Sequence, residues 1–257
     1  MLSYNLLRHE LEAIDNLPMV NLTHTPLRGW NGVVKRIMDV TVAAVALVVL
    51  SPLMAAIALA VRLTSPGPVL YRQTRASLGG QPFEILKFRT MVPDAERRTG
   101  AIWADGETDP RLTSIGRFLR RWNLDELPQF WNVLVGEMSL VGPRPERPEL
   151  VERFGRKIPR YMLRQHAKAG LTGWAQVNGL RGRTSLRKRV QYDLFYLCNW
   201  TLGFDLKILL MTLNPFAQCP TQPPAEVDDP ALAEPVTTRV IVAQTDDVYP
   251  EGEPTLA

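Results

Sequence analysis

Apolar positions along the chain form one long uncharged block and a series of short periodic ones. The long block runs from Val40 to Val61 and is closed by Arg62; Val33-Val34-Lys35-Arg36-Ile37-Met38-Asp39 leads into it. At about 1.5 Å per residue, a helix of this length reaches across a hydrocarbon core of roughly 30 Å, so membrane contact is expected. Ser51-Pro52 stands at its centre. Proline there removes a backbone donor and clashes with the carbonyl four residues back, so the helix is expected to break or bend. Cations flank both ends, with Arg28, Lys35 and Arg36 before the block and Arg62, Arg72 and Arg75 after it. That lacks the one-sided excess that orients a spanning helix. A helix that enters the membrane, breaks at Ser51-Pro52 and returns to the same face accounts for both features. A kinked spanning helix and a buried core helix stay open on the residues alone.

The shorter patterns predict a small mixed architecture. Residues 1 to 30 carry Pro18 and Pro26, no signal-peptide pattern and room for one helix at Tyr4 to Asp15. Val69 to Gln73 and Phe83 to Phe88 read as strands of a hairpin around Gly79-Gly80. Ile115 to Trp122 has helical spacing with Arg117, Arg120 and Arg121 on its polar side, and a second helix is expected from Asn123 to about Val135. Pro143, Pro145 and Pro148 impose an extended turn before a helix at Glu149 to Phe154. Arg187 to Leu197 and Phe204 to Leu213 complete the helices. From Gln218 the chain carries seven prolines; this tail is expected to be disordered, with Thr237 to Ala243 able to add a strand elsewhere. The expected organisation is a surface segment (1–32), a membrane helix (33–65), a catalytic domain (66–217) and an acidic tail (218–257).

Charge changes this picture. The formal net charge is +4, but residues 218 to 257 hold eight acidic residues against Arg239 alone. The preceding 217 residues therefore carry +11, which points to anionic partners such as phosphates, lipid head groups or nucleic acid. With 46% hydrophobic residues the chain can bury a core. Cys198 and Cys219 are too few for a disulfide scaffold and show no zinc spacing with the three histidines, so a reducing compartment is the simpler reading.

Four segments carry candidate chemistry. In Arg120-Arg121-Trp122-Asn123-Leu124-Asp125-Glu126-Leu127-Pro128, Asn123 has the spacing of an N-cap with Glu126 three residues on, which places Asp125 in a first helical turn. Those carboxylates could merely complement a helix dipole. Beside basic residues at a helix N-terminus they also suit phosphate chemistry, one holding Mg²⁺ and the other attacking phosphorus. In Leu140-Val-Gly-Pro-Arg-Pro145 the flanking prolines aim Arg144, whose fork matches phosphate oxygens; a surface turn is the bland alternative. Lys87-Phe-Arg-Thr-Met91 alternates as a half-buried strand would. Gly170-Leu-Thr-Gly-Trp-Ala-Gln-Val-Asn-Gly179, followed by Arg181 and Arg183, is a loop that suits a nucleotide or sugar, or equally a turn packed on a core tryptophan.

In order, these segments resemble the polyprenyl-phosphate phosphoglycosyltransferases of the bacterial sugar-transferase family, in their monotopic form. The resemblance covers about Val33 to Leu213. It rests on Lys35-Arg36-x-x-Asp39, Ser51-Pro52, Gly67-Pro68 with Gln73-x-Arg75, Lys87-Phe-Arg-Thr-Met91, Asp109-x-Arg111-x-Thr113, Leu124-Asp-Glu-Leu-Pro-Gln129, Met138-Ser-Leu-Val-Gly-Pro-Arg-Pro145 and the Gly170 to Gly179 run. Members usually carry serine at the position of Asn123 and glycine at that of Ser77, and some place arginine where Leu180 stands.

The resemblance implies an α+β fold: a re-entrant helix-break-helix in the cytoplasmic leaflet of the bacterial inner membrane, and a mainly helical cytoplasmic catalytic domain with a small β-hairpin. It implies a nucleophile at Asp125 and a Mg²⁺ ligand at Glu126. Substrate contacts are implied from Arg75, Lys87, Arg89, Arg120, Arg144, Gln176, Asn178 and Arg181. The implied reaction moves a sugar 1-phosphate from a UDP-sugar to undecaprenyl (polyprenyl) phosphate through a phospho-sugar aspartate and releases UMP, as the first membrane step of exopolysaccharide or glycoconjugate synthesis. The Trp174 to Gly182 run resembles members that transfer glucose 1-phosphate; UDP-galactose and UDP-N-acetylhexosamines are the alternatives. Membrane lipid is an expected partner and nucleic acid is not, and a homodimer is left open. A reading of another class is a non-catalytic basic module anchored to the membrane. Dispersal of the basic residues among Gly/Pro-fixed motifs argues against it.

Overall fold

The computed structural model describes residues 11–14, 17–20, 26–27, 29–93, 95, 109–182 and 184–213. The acidic tail, the strand expected at Thr237 to Ala243 and Arg183 lie outside the described residues. So does most of the helix expected at Tyr4 to Asp15. The described part of that segment corrects the expectation: Leu11–Ile14 (β1) and Leu17–Val20 (β2) pair as an antiparallel hairpin. Pro18 has no N–H to give a helix, and the apolar residues of this stretch cluster within the two strands.

The long apolar block forms α1, Trp30–Thr64. Among the described residues it is the one helix long and apolar enough to cross a membrane. Ser51 and Pro52 lie inside this helix rather than between two helices. Pro52 supplies no N–H, which leaves the Val48 carbonyl without its helical donor, and the Ser51 hydroxyl donates to that carbonyl at 2.8 Å. Burial along α1 is confined to its two ends: Lys35, Asp39 and Ala43 at one, Ile57 and Val61 at the other.

The body is mainly helical. After α1, Leu70–Ala76 (β3) and Pro82–Phe88 (β4) form the expected antiparallel hairpin. Its turn uses Gly79 and Gly80 at φ 65° and 77°, where a side chain would be strained. Ser114–Arg121 (α2) begins on Thr113, whose hydroxyl accepts from the Gly116 amide at 3.0 Å. Gln129–Val135 (α3) leads into Ser139–Val141 (β5), followed by Pro148–Lys157 (α4). Gly170–Thr172 (β6) pairs with β5 in parallel, with Ser139 opposite Gly170 and Val141 opposite Thr172. Trp174–Val177 (α5), Leu186–Cys198 (α6) and Leu202–Leu213 (α7) complete the described chain.

One core cluster joins α1 through Ala43 to Val133, Met138, Leu140, Val177, Tyr196 and Ile208. A second packs Ile57 and Val61 against Phe88 and Leu119. The Lys35-Arg36-x-x-Asp39 motif docks the start of α1 onto the body. Lys35 donates to the fully buried Asp205 at 2.7 Å, and that carboxylate also accepts from Tyr196 and Trp200. Arg36 caps the C-terminal end of α3 through the Val133 and Leu134 carbonyls, 2.7 Å each. Asp39 accepts from the Leu140 amide at 3.0 Å.

Candidate active site

Asp125 and Glu126 sit on a single 3-10 turn, Leu124–Glu126, between α2 and α3. The expected capping box is absent. Asn123 lies in the left-handed region at φ 53°, ψ 22° and makes no side-chain cap; asparagine is among the few residues that tolerate that conformation. Nor does one helix run from Asn123 to Val135. Pro128 has no N–H for the Leu124 carbonyl, which instead accepts from Leu127 at 3.4 Å, a three-residue turn. The result is a sharp corner that presents two adjacent carboxylates.

The two carboxylates have different surroundings. Glu126 Oε1 accepts from Lys87 Nζ at 2.6 Å and from Arg144 Nη2 at 3.0 Å. Burial pushes the Glu126 carboxyl up, but the two cations more than offset this and hold it well below the usual carboxylate range. Asp125 is 8% exposed, and no side chain among the described residues donates to its carboxylate. Burial pushes its carboxyl up; Lys87 and Arg120 oppose and Glu126 reinforces. Adjacent acids whose protonation equilibria are driven apart are a signature of divided chemical labour.

Basic side chains from separate elements converge on this corner. Lys87 comes from the end of β4 and Arg144 from the loop after β5. Glu126 raises the Arg144 guanidinium further, so that side chain is a fixed cation. Arg120, at the end of α2, donates to the Thr90 hydroxyl at 2.9 Å; burial lowers it, while Asp125 supports its charge. Arg181 donates to the Gln176 carbonyl at 3.1 Å, and Arg144 and Glu126 are the charges that act on it. Asp125, Glu126, Lys87, Arg120, Arg144 and Arg181 thus form one electrostatic cluster.

The other candidates make their polar contacts away from the two carboxylates. Arg89, 7% exposed, donates to the Ser65 carbonyl at 2.6 Å, at the C-terminal end of α1. Arg75 holds Gln73 and the Pro145 carbonyl. Gln176 is buried within α5, and Asn178 donates to the Trp174 carbonyl at 2.7 Å. Trp174 stacks against Tyr192 and Phe195 and meets Phe204 edge-on, so the glycine-rich loop packs on an aromatic cluster. Sequence reasoning passed over Thr90 and Gly116, which seat Arg120, and Arg164, Asp193 and Asp205. These last are ordinary charged helix residues in one dimension, and their burial is a tertiary fact. The loop bearing Arg144 is set by backbone-on-backbone contact: a Cβ on Gly142, Gly170 or Gly173 would lie 2.2 to 2.4 Å from main-chain atoms.

The donor set fits a magnesium ion held partly by substrate. Both protein donors to Glu126 take Oε1, and a hard dication accepts one or two carboxylates together with phosphates and waters. Among the described residues there is no group of three or more His, Cys, Asp or Glu able to cage a metal alone.

Residues 30–218 match the family model described as bacterial sugar transferase. An Escherichia coli protein named UDP-glucose:undecaprenyl-phosphate glucose-1-phosphate transferase is 45% identical over 216 residues, covering 82% of this chain and 46% of the relative. A Caulobacter vibrioides protein of the same name is 48% identical over 184 residues, covering 70% of this chain and 68% of the relative. An Aeromonas hydrophila protein named UDP-N-acetylgalactosamine-undecaprenyl-phosphate N-acetylgalactosaminephosphotransferase is 42% identical over 183 residues, or 70% and 43% of the two chains. The chain thus spans about half the length of several curated relatives it matches. With the family model covering α1 and every charged group of the corner between α2 and α3, the chain belongs to the bacterial sugar transferase family.

Proposed function

We propose that the chain transfers a sugar 1-phosphate from a UDP-sugar to undecaprenyl phosphate. The observation that carries this reading is the split between Asp125 and Glu126. Lys87 and Arg144 both donate to Glu126 and keep it ionised, while burial raises the Asp125 carboxyl, to which no side chain among the described residues donates, and a basic carboxylate suits a nucleophile. An Asp125 carboxylate oxygen attacks the sugar-bearing phosphorus of the diphosphate. The new O–P bond forms as the bond to UMP breaks, and UMP departs with the electron pair. A polyprenyl phosphate oxygen then attacks the same phosphorus and restores the carboxylate. Each anionic substrate visits the site in turn, so their mutual repulsion is avoided. Lys87, Arg120, Arg144 and Arg181 supply fixed positive charge around the equatorial oxygens. Glu126 would hold Mg²⁺, which when bound supplies further charge neutralisation at the phosphates.

The same reading places the active corner at head-group depth on the cytoplasmic face of the bacterial inner membrane. Both ends of α1 pack on one body, and none of residues 44 to 56 is buried, which supports an apolar apex dipping into the leaflet and returning. If cysteines placed before residue 33 and after residue 65 label from opposite faces, that topology fails.

Glucose is the leading sugar because relatives named for UDP-glucose match at 45% and 48% identity; the Aeromonas relative makes N-acetylgalactosamine the second. UMP release from a panel of UDP-sugars, in detergent with polyprenyl phosphate and with or without Mg²⁺, tests both parts. Magnesium-dependent release from one or two sugars is expected. Release from none would favour a non-catalytic anion-binding module.

A further inference from the structure

The loop that carries Arg144 has little backbone polarity of its own, because the prolines on either side of the arginine have no N–H. Four consecutive carbonyls are nevertheless held. Pro143 accepts from the Gly170 amide at 2.8 Å, Pro145 from Arg75 at 3.2 Å, and Glu146 from the Ala76 amide at 2.9 Å. The Arg144 carbonyl itself accepts from Arg164 Nη2 at 3.2 Å. Arg164 is 4% exposed and lies against the main chain of the loop. Its guanidinium is fully engaged: Nε donates to Asp193 Oδ2 at 2.9 Å and Nη1 to the Tyr161 hydroxyl at 3.0 Å. Asp193 belongs to α6, so the pair couples that helix to the backbone of Arg144.

A buried ion pair of this kind is weak as a source of stability, since well-packed apolar residues of the same volume often do as well or better. What an apolar pair cannot do is hold a carbonyl. Only a planar fork serves a carboxylate, a phenol and a carbonyl from one buried position; a lysine ammonium is a point charge and cannot span them.

We propose that Arg164, oriented by Asp193, is a positioning residue that fixes the main chain of Arg144 and thereby aims its guanidinium at Glu126 and the transferring phosphoryl group. The kinetic consequence rests on the function proposed above; the tether does not.

Arg164→Met combined with Asp193→Leu removes the tether without leaving a buried charge unpaired, and Arg164→Lys keeps the pair's charge while losing the fork. Hydrogen–deuterium exchange at the amides of Gly142 and Gly170, which donate to the Thr172 and Pro143 carbonyls beside Arg144, reads how firmly the loop's main chain is held. Faster exchange there, with the exchange of β3 and β4 unchanged, is expected for both variants. Equal exchange to wild type overturns the proposal. In UMP release, a misplacement of about 1 Å can cost on the order of 100-fold, and the loss is expected in kcat with KM for the UDP-sugar little changed. Arg144→Ala should then cost far less in the Arg164→Met/Asp193→Leu background than in wild type, because the same contribution cannot be lost twice. Additive losses, or a loss confined to KM, overturn the positioning role. If wild type releases no UMP from any sugar, the functional reading fails, and the exchange measurement alone decides the tether.

Discussion

Gly116→Ala sets two physical rules against each other. Gly116 lies in the first half of α2 with a helical backbone, and alanine in a helix is favoured over glycine by about 0.5–1 kcal/mol. Yet a Cβ at 116 would stand 1.9 Å from the Thr90 carbonyl oxygen and 2.6 Å from its carbon. That carbonyl cannot swing away easily, because it accepts from the Thr113 amide at 3.0 Å and from the Thr113 hydroxyl at 3.2 Å. Since real Cβ atoms essentially never come within 3.0 Å of such neighbours, α2 must retreat by more than an ångström. Arg120 is one turn further along the same face, and its 2.9 Å bond to the Thr90 hydroxyl would stretch out of hydrogen-bond range. Overpacking of this kind costs about 1–3 kcal/mol, so packing outweighs propensity and Tm should fall by several degrees. Displacing Arg120 by about 1 Å should lower kcat/KM for UMP release by on the order of 100-fold. Thermal denaturation with the UMP assay checks both. A raised Tm with kcat/KM within about twofold of wild type would mean that α2 accommodates the methyl without moving Arg120.

The two carboxylates should respond oppositely to removal. Asp125 has its folded-state pKa above the unfolded value, so its favourable contribution is present in acid and is lost as pH rises through the folded value. Asp125→Asn should therefore be inactive yet more heat-stable than wild type at pH 7, with the gap closing as the buffer approaches about pH 4; a lower Tm at pH 7 would count against a burial-raised carboxyl at Asp125. Glu126 has its folded-state pKa depressed, so its contribution is present above the unfolded value and lost as pH falls toward the folded one. Glu126→Gln should lower Tm at pH 7 and leave less acid-sensitivity behind, read from the same melts. Lys87→Met leaves Glu126 with Arg144 alone, and losses of roughly 100-fold or more in UMP release are expected, as for removal of an electrostatic transition-state contact. Lys35→Met strands the fully buried Asp205 and should cost about 3–5 kcal/mol in denaturant unfolding, against little change for Arg72→Met on the exposed surface.

Much of this arrangement is legible in one dimension because it is local. The uncharged block becomes α1, Gly79-Gly80 becomes the hairpin turn, and the helical spacings of Arg187 to Leu197 and Phe204 to Leu213 become α6 and α7 with their ends moved by one or two residues. What fails is long-range or depends on one bond. The parallel β5–β6 pair is only three residues long on each side and joins segments about 30 positions apart, with no periodic signal. The corner at Asp125 escapes because a cap spacing looks the same whether Asn123 turns its side chain inward or, as here, its backbone into the left-handed region. The site is partly legible for the same reason. Lys87 and Arg144 reach Glu126, and Arg120 acts on Asp125 through its charge, from the motifs that carry them. Arg75, Arg89 and Gln176 sit in equally motif-like surroundings but serve carbonyls and the core. Alternation and glycine spacing do not say which side of a strand or loop the site is on.

In the proposed reaction Asp125 carries the phospho-sugar. Incubating the chain with a UDP-sugar radiolabelled in the sugar, with Mg²⁺ and without polyprenyl phosphate, and then locating the label by peptide mapping tests it directly. Label is expected on the peptide containing Asp125, discharged when polyprenyl phosphate is added, and none retained by Asp125→Asn. Normal turnover by Asp125→Asn, or label trapped on that variant, would contradict it.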